Sequence, residues 1–117
     1  MITANAGNSR AICVDKYRKV RVLSDDHLPN VPTERRRVET AGGRIARCRG
    51  GLKDGAYCIY SSNREDKGGL DVSRSIGDLN LHRFGVTHEP DIKHFNLEED
   101  DQILILASDG IWEMMTL

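Results

Sequence analysis

Residues 103 to 113 read Ile-Leu-Ile-Leu-Ala-Ser-Asp-Gly-Ile-Trp-Glu, and the carboxylate of Asp109 stands where the most apolar run of the chain ends. A carboxylate at the end of a buried strand is backed by rigid backbone, and hard divalent cations take oxygens held in that way. A second role suits the same residues. Asp is a favoured helix N-cap, Gly110 eases the turn, and a helix starting at Ile111 would use the cap. The local pattern leaves both readings open.

Other polar clusters carry less. His27 lies beside Asp25 and Asp26, a grouping that suits a hydrogen-bonded turn better than a proton shuttle. His82, His88 and His94 have no spacing typical of metal ligands. Arg35, Arg36 and Arg37 could grip a phosphate, although three consecutive arginines on a helix point in different directions and more commonly form a solvated face.

The elements that position these groups are encoded in the pattern of the chain. Ile2 to Ala6, Arg10 to Val14 and Val20 to Ser24 read as strands joined by tight turns, a meander. Thr33 to Thr40 reads as a short exposed helix, with Pro32 suited to its first turn and Ala41-Gly42-Gly43 to its end. Arg44 to Arg47 can form a strand, and Gly50 to Gly69 reads as a long loop or hairpin around the apolar Ala56 to Tyr60. Leu70 to Ser75 is strand-like, Ile76-Gly77-Asp78 breaks it with Asp78 capping the next segment, and Leu79 to Phe84 makes one or two helical turns. Val86 to Leu97 is extended, Glu98 to Asp101 is an acidic turn, and Gln102 to Ala107 is the buried strand that ends near Asp109.

Composition narrows the function. In 117 residues, 17 Lys and Arg against 18 Asp and Glu give a net charge of -1, so no overall basic field draws in nucleic acid or an anionic membrane. No apolar run approaches the ~20 residues of a membrane span, and the first residues lack the pattern of a signal peptide. Cys13, Cys48 and Cys58 are odd in number and widely spaced, which suggests reduced thiols in a soluble protein of the cytoplasm or nucleus.

The chain also resembles the metal-dependent protein serine/threonine phosphatases, the type 2C or PPM family. ILASDGIWE is similar to that family's LASDGLWD segment. Ala4 to Arg10, ANAGNSR, resembles its A-N-x-G-D-S-R hairpin, and Leu23 to Pro29 its L-T-x-D-H-K-P. ERRRVETAGG, residues 34 to 43, resembles E-x-x-R-I-x-x-A-G-G; VSRSIGD, residues 72 to 78, resembles V-S-R-A-L-G-D; and Glu89 to Ile92 matches E-P-D-I. The motifs occur in the family's own order.

The resemblance implies an α+β fold, part of an α/β/β/α sandwich of antiparallel sheets with flanking helices, in a single partial domain over residues 1 to 117. Residues 28 to 72 correspond to a flap beside the active site, longer than usual between Ala46 and Val72. It implies hydrolysis of phosphoserine and phosphothreonine in proteins by a water activated between two Mn²⁺ or Mg²⁺ ions. Asp109 becomes a metal ligand in this reading, Asp78 a candidate near the metals, and Arg35, Arg36 and Arg37 part of the substrate-facing flap. Asn8 and Glu113 stand where the family carries Asp ligands of a weaker third metal. The amide brings no charge and Glu113 is one methylene longer, so that site is expected to be weak; Asn8 suits equally well a turn residue with positive φ.

Motifs for the remaining metal ligands do not occur in these residues, so the chain is expected to be an incomplete part of the catalytic domain. A catalytically inactive phosphatase-like binding module is the alternative. Expected partners are a phosphorylated protein substrate, no nucleic acid and no membrane, with self-association through unpaired strand edges. Lys53, Arg64, Asp66 and Lys67 in the long flap are expected to make partner contacts.

Overall fold

The computed structural model describes residues 1–49, 55–61 and 68–115. Two compact units form: residues 1–26 with 90–117, and residues 27–89, which contain the whole flap-like segment. The expected partner-contact residues Lys53, Arg64, Asp66 and Lys67 lie outside the described residues. The fold is α+β with antiparallel sheets, as expected.

The first unit holds two sheets. Strand β1 (Ile2–Asn5) pairs with β6 (Asp91–His94), running from Ile2 opposite His94 to Asn5 opposite Asp91. Strand β2 (Arg10–Asp15) lies between β3 (Val20–Val22) and β7 (Asp101–Ala107). The expected meander therefore holds for β2 and β3 but not for β1. The turn after β1, with Gly7 at φ 127°, carries the chain into the other sheet instead of closing a hairpin. Asn5 and Thr3 tie β1 in place by donating to the carbonyls of Asp25 and Leu23, each at 2.8 Å.

Ala11, Cys13 and Leu23 form a small core with Met1 and Phe95. Burial raises the pKa of the Cys13 thiol, which keeps it protonated and unreactive. The expectation that β7 is buried is corrected: Leu104 is 51% and Leu106 71% exposed. The sequence encodes a strand that needs burial, but among the described residues β7 is an edge strand bonded only to β2. Leu104 and Leu106 line an open cavity of about 470 Å³ together with Ile2, Ala4 and Ala11, while Ile103 and Ile105 extend from the other face.

In the second unit, helix α1 (Pro32–Thr40) begins with proline in its first turn. It ends at Gly42, φ +80°, whose N–H donates to the Glu39 carbonyl at 3.0 Å. The helix is less exposed than expected, because Val38 and Glu34 are buried. Val38 packs with Ile59, Leu81 and Val86. Close approach is enforced at Gly85, φ +93°, where a Cβ would meet the Val38 Cα at 2.6 Å.

Strands β4 (Arg44–Arg47) and β5 (Tyr57–Tyr60) form a hairpin with Arg47 opposite Tyr57 and Ala46 opposite Cys58. This register puts Cys48 diagonal to Cys58 on the same face, and the two form a disulfide with Cα atoms 5.1 Å apart. The expectation of three reduced thiols is corrected accordingly. Leu70 to Ser75 makes only isolated bridges, Leu70 to Ile59 and Arg74 to Thr87, rather than a strand.

Its side chains serve another purpose. The Glu34 carboxylate, 2% exposed, accepts from both Nη atoms of Arg37 at 2.8 and 2.7 Å and from Arg74 Nη2 at 2.7 Å and Nε at 3.1 Å. Ser73 Oγ adds a fifth bond at 2.6 Å. Arg37 also donates to the carbonyls of Gly85 and Ser73, both at 2.9 Å, and Arg74 to that of Glu89 at 3.0 Å. Burial would raise the Glu34 pKa, but the donated hydrogen bonds of Arg74, Arg37 and Ser73 outweigh it and hold the carboxyl far below its ordinary 4.5.

The Glu34 centre and the disulfide each carry part of the stability of this unit. Glu34→Ala should lower unfolding stability by about 3 kcal/mol in urea melts, since it leaves two guanidinium groups without their shared anion. With its folded pKa depressed, Glu34 contributes fully above about pH 4.5 and loses its contribution as the pH falls. Melts from neutral pH to about pH 3 should thus decline less steeply for Glu34→Gln than for wild type. Reduction of the Cys48–Cys58 bridge, or Cys58→Ser, should cost about 2 to 3 kcal/mol for a closure of this sequence separation, 10 residues.

Candidate functional site

Backbone register delivers Asp109 to its place. Arg10 of β2 pairs with Ala107 of β7; continuing that ladder outward by two residues sets Asn8 against Asp109. Asn8 Nδ2 does donate to Asp109 Oδ2, at 3.0 Å. Two residues far apart in sequence, both picked out by motif, are thus brought together by one pair of strands.

The turn beyond β7 is held from several sides. Helix α3 (Asp109–Trp112) has Ser108 at its cap position, with no side-chain cap bond, and Asp109 is its first helical residue. The reading of Asp109 as the cap is corrected, because its carboxylate is turned to Asn8. Trp112 donates its indole N–H to the Ala107 carbonyl at 2.8 Å, folding α3 back on the end of β7. Arg10 stacks over the Trp112 ring at 5.8 Å while forking onto Asp26 at 3.0 and 2.7 Å. The Asp26 hydrogen bond raises the Arg10 pKa further, fixing it as a cation. Glu113 comes directly after α3, its N–H donating to the Asp109 carbonyl at 2.8 Å.

The other candidates are placed differently. Asp78 belongs to the second unit, where it is exposed and occupies the cap position of helix α2 (Leu79–His82) in a left-handed conformation, φ 48°. Its side chain makes no cap bond; its carbonyl instead accepts from Leu81 N–H at 2.8 Å. Among the three arginines, Arg37 is committed to Glu34 and is a structural residue. Arg35 lies over the Tyr57 ring and pairs with Glu39 at 3.5 Å, and Arg36 is exposed. They form no common phosphate grip.

His27 is buried. His82 and His88 stack with ring centres 5.6 Å apart. The sequence reading missed the Glu34 centre, although the Glu-x-x-Arg spacing on a helix was the available signal. It missed the Arg10–Asp26 support altogether, and nothing local in the sequence marks that pair.

The protein phosphatase 2C family model matches residues 1–117, and the chain belongs to this family. A probable protein phosphatase 2C 41 from Arabidopsis thaliana is 40% identical over 123 residues, covering 99% of this chain and 34% of the relative. Probable protein phosphatase 2C 12 from Oryza sativa is 34% identical, with 99% and 30% covered. A serine-threonine phosphatase 2C from Toxoplasma gondii superposes with a TM-score of 0.82 at 26% identity, over 98% of this chain and 39% of that one. The chain thus spans about a third of the curated relatives' length.

The family is metal-dependent. Among the described residues, no group of three or more His, Cys, Asp or Glu is arranged to hold an ion. At Asp109, an amide N–H of Asn8 faces the carboxylate that a cation would need. Charge count governs divalent affinity here, so Asn8→Asp should raise Mn²⁺ affinity about tenfold over a weak starting value in titration calorimetry, and Asp109→Ala should remove the gain.

Proposed function

We propose that this chain forms part of a domain that hydrolyses phosphoserine and phosphothreonine in proteins, with Asp109 contributing one carboxylate to its Mn²⁺ or Mg²⁺ centre. The observation that carries the reading is the placement of Asp109 at the end of β7 by Asn8, within a chain that matches the family from residue 1 to 117. Glu113, directly after α3, and Asn8 are proposed as weak additional ligands. Asp78 remains a candidate near the metals on its motif alone.

The alternative, a phosphatase-like module without activity, draws support from the neutral Asn8 facing Asp109. Self-association is proposed through the edges of β3 and β7, which have no strand partner among the described residues. A nuclear or cytoplasmic setting is proposed as the place of such phosphoprotein substrates; the Cys48–Cys58 bridge removes the support that reduced thiols gave it.

A chimera tests the catalytic reading. Residues 1–117 would replace the matching third of the Arabidopsis relative, and Mn²⁺-dependent phosphate release from a phosphothreonine peptide would be measured. We expect activity, and a fall of about 100-fold or more with Asp109→Ala. An inactive but folded chimera would favour the binding-module reading.

A further inference from the structure

The β4–β5 hairpin carries a cationic stack that the catalytic reading leaves unused. Arg47 and Tyr57 are directly opposed in the ladder, and the Arg47 guanidinium lies 4.2 Å from the Tyr57 ring centre. Arg35, reaching across from α1, lies over the same ring at 5.6 Å. One aromatic ring therefore holds two guanidinium groups that would otherwise repel each other.

Neither charge is well neutralised. Among the described residues, the partners of Arg47 are the Tyr57 ring and the Gly55 carbonyl, both uncharged. Arg35 reaches Glu39 only at 3.5 Å, and its Nε is buried without a hydrogen-bond acceptor among the described residues. Exposed Arg36 adds to the positive field, while Glu34 on the same helix is consumed by Arg37 and Arg74.

Guanidinium planes stacked on a ring lose little freedom on binding, and their outward N–H edges suit the paired oxygens of carboxylates and phosphates. The disulfide sits beside the stack in sequence, Cys48 next to Arg47 and Cys58 next to Tyr57, and so fixes the register that aligns the pair.

We propose that Arg35, Tyr57 and Arg47 form a docking surface for an acidic segment of the phosphoprotein substrate, giving preference for phosphosites flanked by Asp and Glu. This rests on the phosphatase reading for the identity of the partner. The attraction itself depends only on charge complementarity, so it weakens with salt.

Fluorescence anisotropy of a labelled phosphothreonine peptide with Asp and Glu flanks, titrated with the 117-residue chain in the presence of chelator, tests the surface without catalysis. The double variant Arg35→Gln/Arg47→Gln should bind about tenfold more weakly, two exposed charges being worth up to a few-fold each. Arg35→Lys/Arg47→Lys, which retains charge but not the planar fork, should fall between. Circular-dichroism melts confirm that each variant is folded, and Tyr57→Phe, which keeps the ring, should bind as wild type does.

Unchanged binding by a folded double Gln variant would overturn the proposal. So would equal affinity for a peptide with Lys and Arg flanks, or stronger competition by a single-stranded RNA than by the acidic peptide. Because binding is read in chelator, its failure is separate from failure of the chimera to release phosphate.

Discussion

A carboxylate can be removed from water only if other groups replace its hydration, and Glu34 is the point at which the second unit meets this requirement. Its partners come from two stretches of chain: Arg37 from its own helix, and Ser73 and Arg74 from a segment some 40 residues later. The same guanidinium groups then donate to the backbone of Gly85, Ser73 and Glu89. One buried anion thus fixes α1, the 73–74 segment and the turn before β6 with respect to each other. The apolar cluster of Val38, Ile59, Leu81 and Val86 is small, and polar bonds of defined length supply the geometry that so few apolar side chains would leave loose.

This arrangement explains why the strand-like pattern of Leu70 to Ser75 does not produce a strand. A ladder would alternate the side chains of Ser73 and Arg74 to opposite faces, whereas both are needed at Glu34. The same conflict limits Arg37 as a substrate group. A guanidinium that satisfies a buried carboxylate cannot turn to a phosphate without leaving that carboxylate unpaired.

Local pattern made most elements legible: β2, β3, β4, α1 and the short α2 all lie where turn residues and periodicity put them. What escaped was decided by pairing between distant strands. The partner of β1 is β6, nearly ninety residues away, and no turn signal encodes that choice. The Cys48–Cys58 bridge depends on the β4–β5 register, which wide spacing in sequence hides. For β7, apolar content was read as burial, but hydrophobicity states only what a strand would gain from being covered. Asp109 and Asn8 were legible through their motifs, while their hydrogen bond required the β2–β7 register.

That register separates two properties of the site that a motif treats as one. Position is set by the ladder, in which Arg10 pairs with Ala107, and by Trp112, which closes back on the end of the strand. Charge is set by side-chain identity, and Asn8 supplies a donor where a second carboxylate would supply an anion. A cation approaching Asp109 must compete with an amide already bonded to it at 3.0 Å and meets only half the charge that two carboxylates would offer. The ladder therefore fixes where the Asp109 carboxylate stands, while any divalent affinity there would depend on carboxylates that the Asn8–Asp109 pair does not provide.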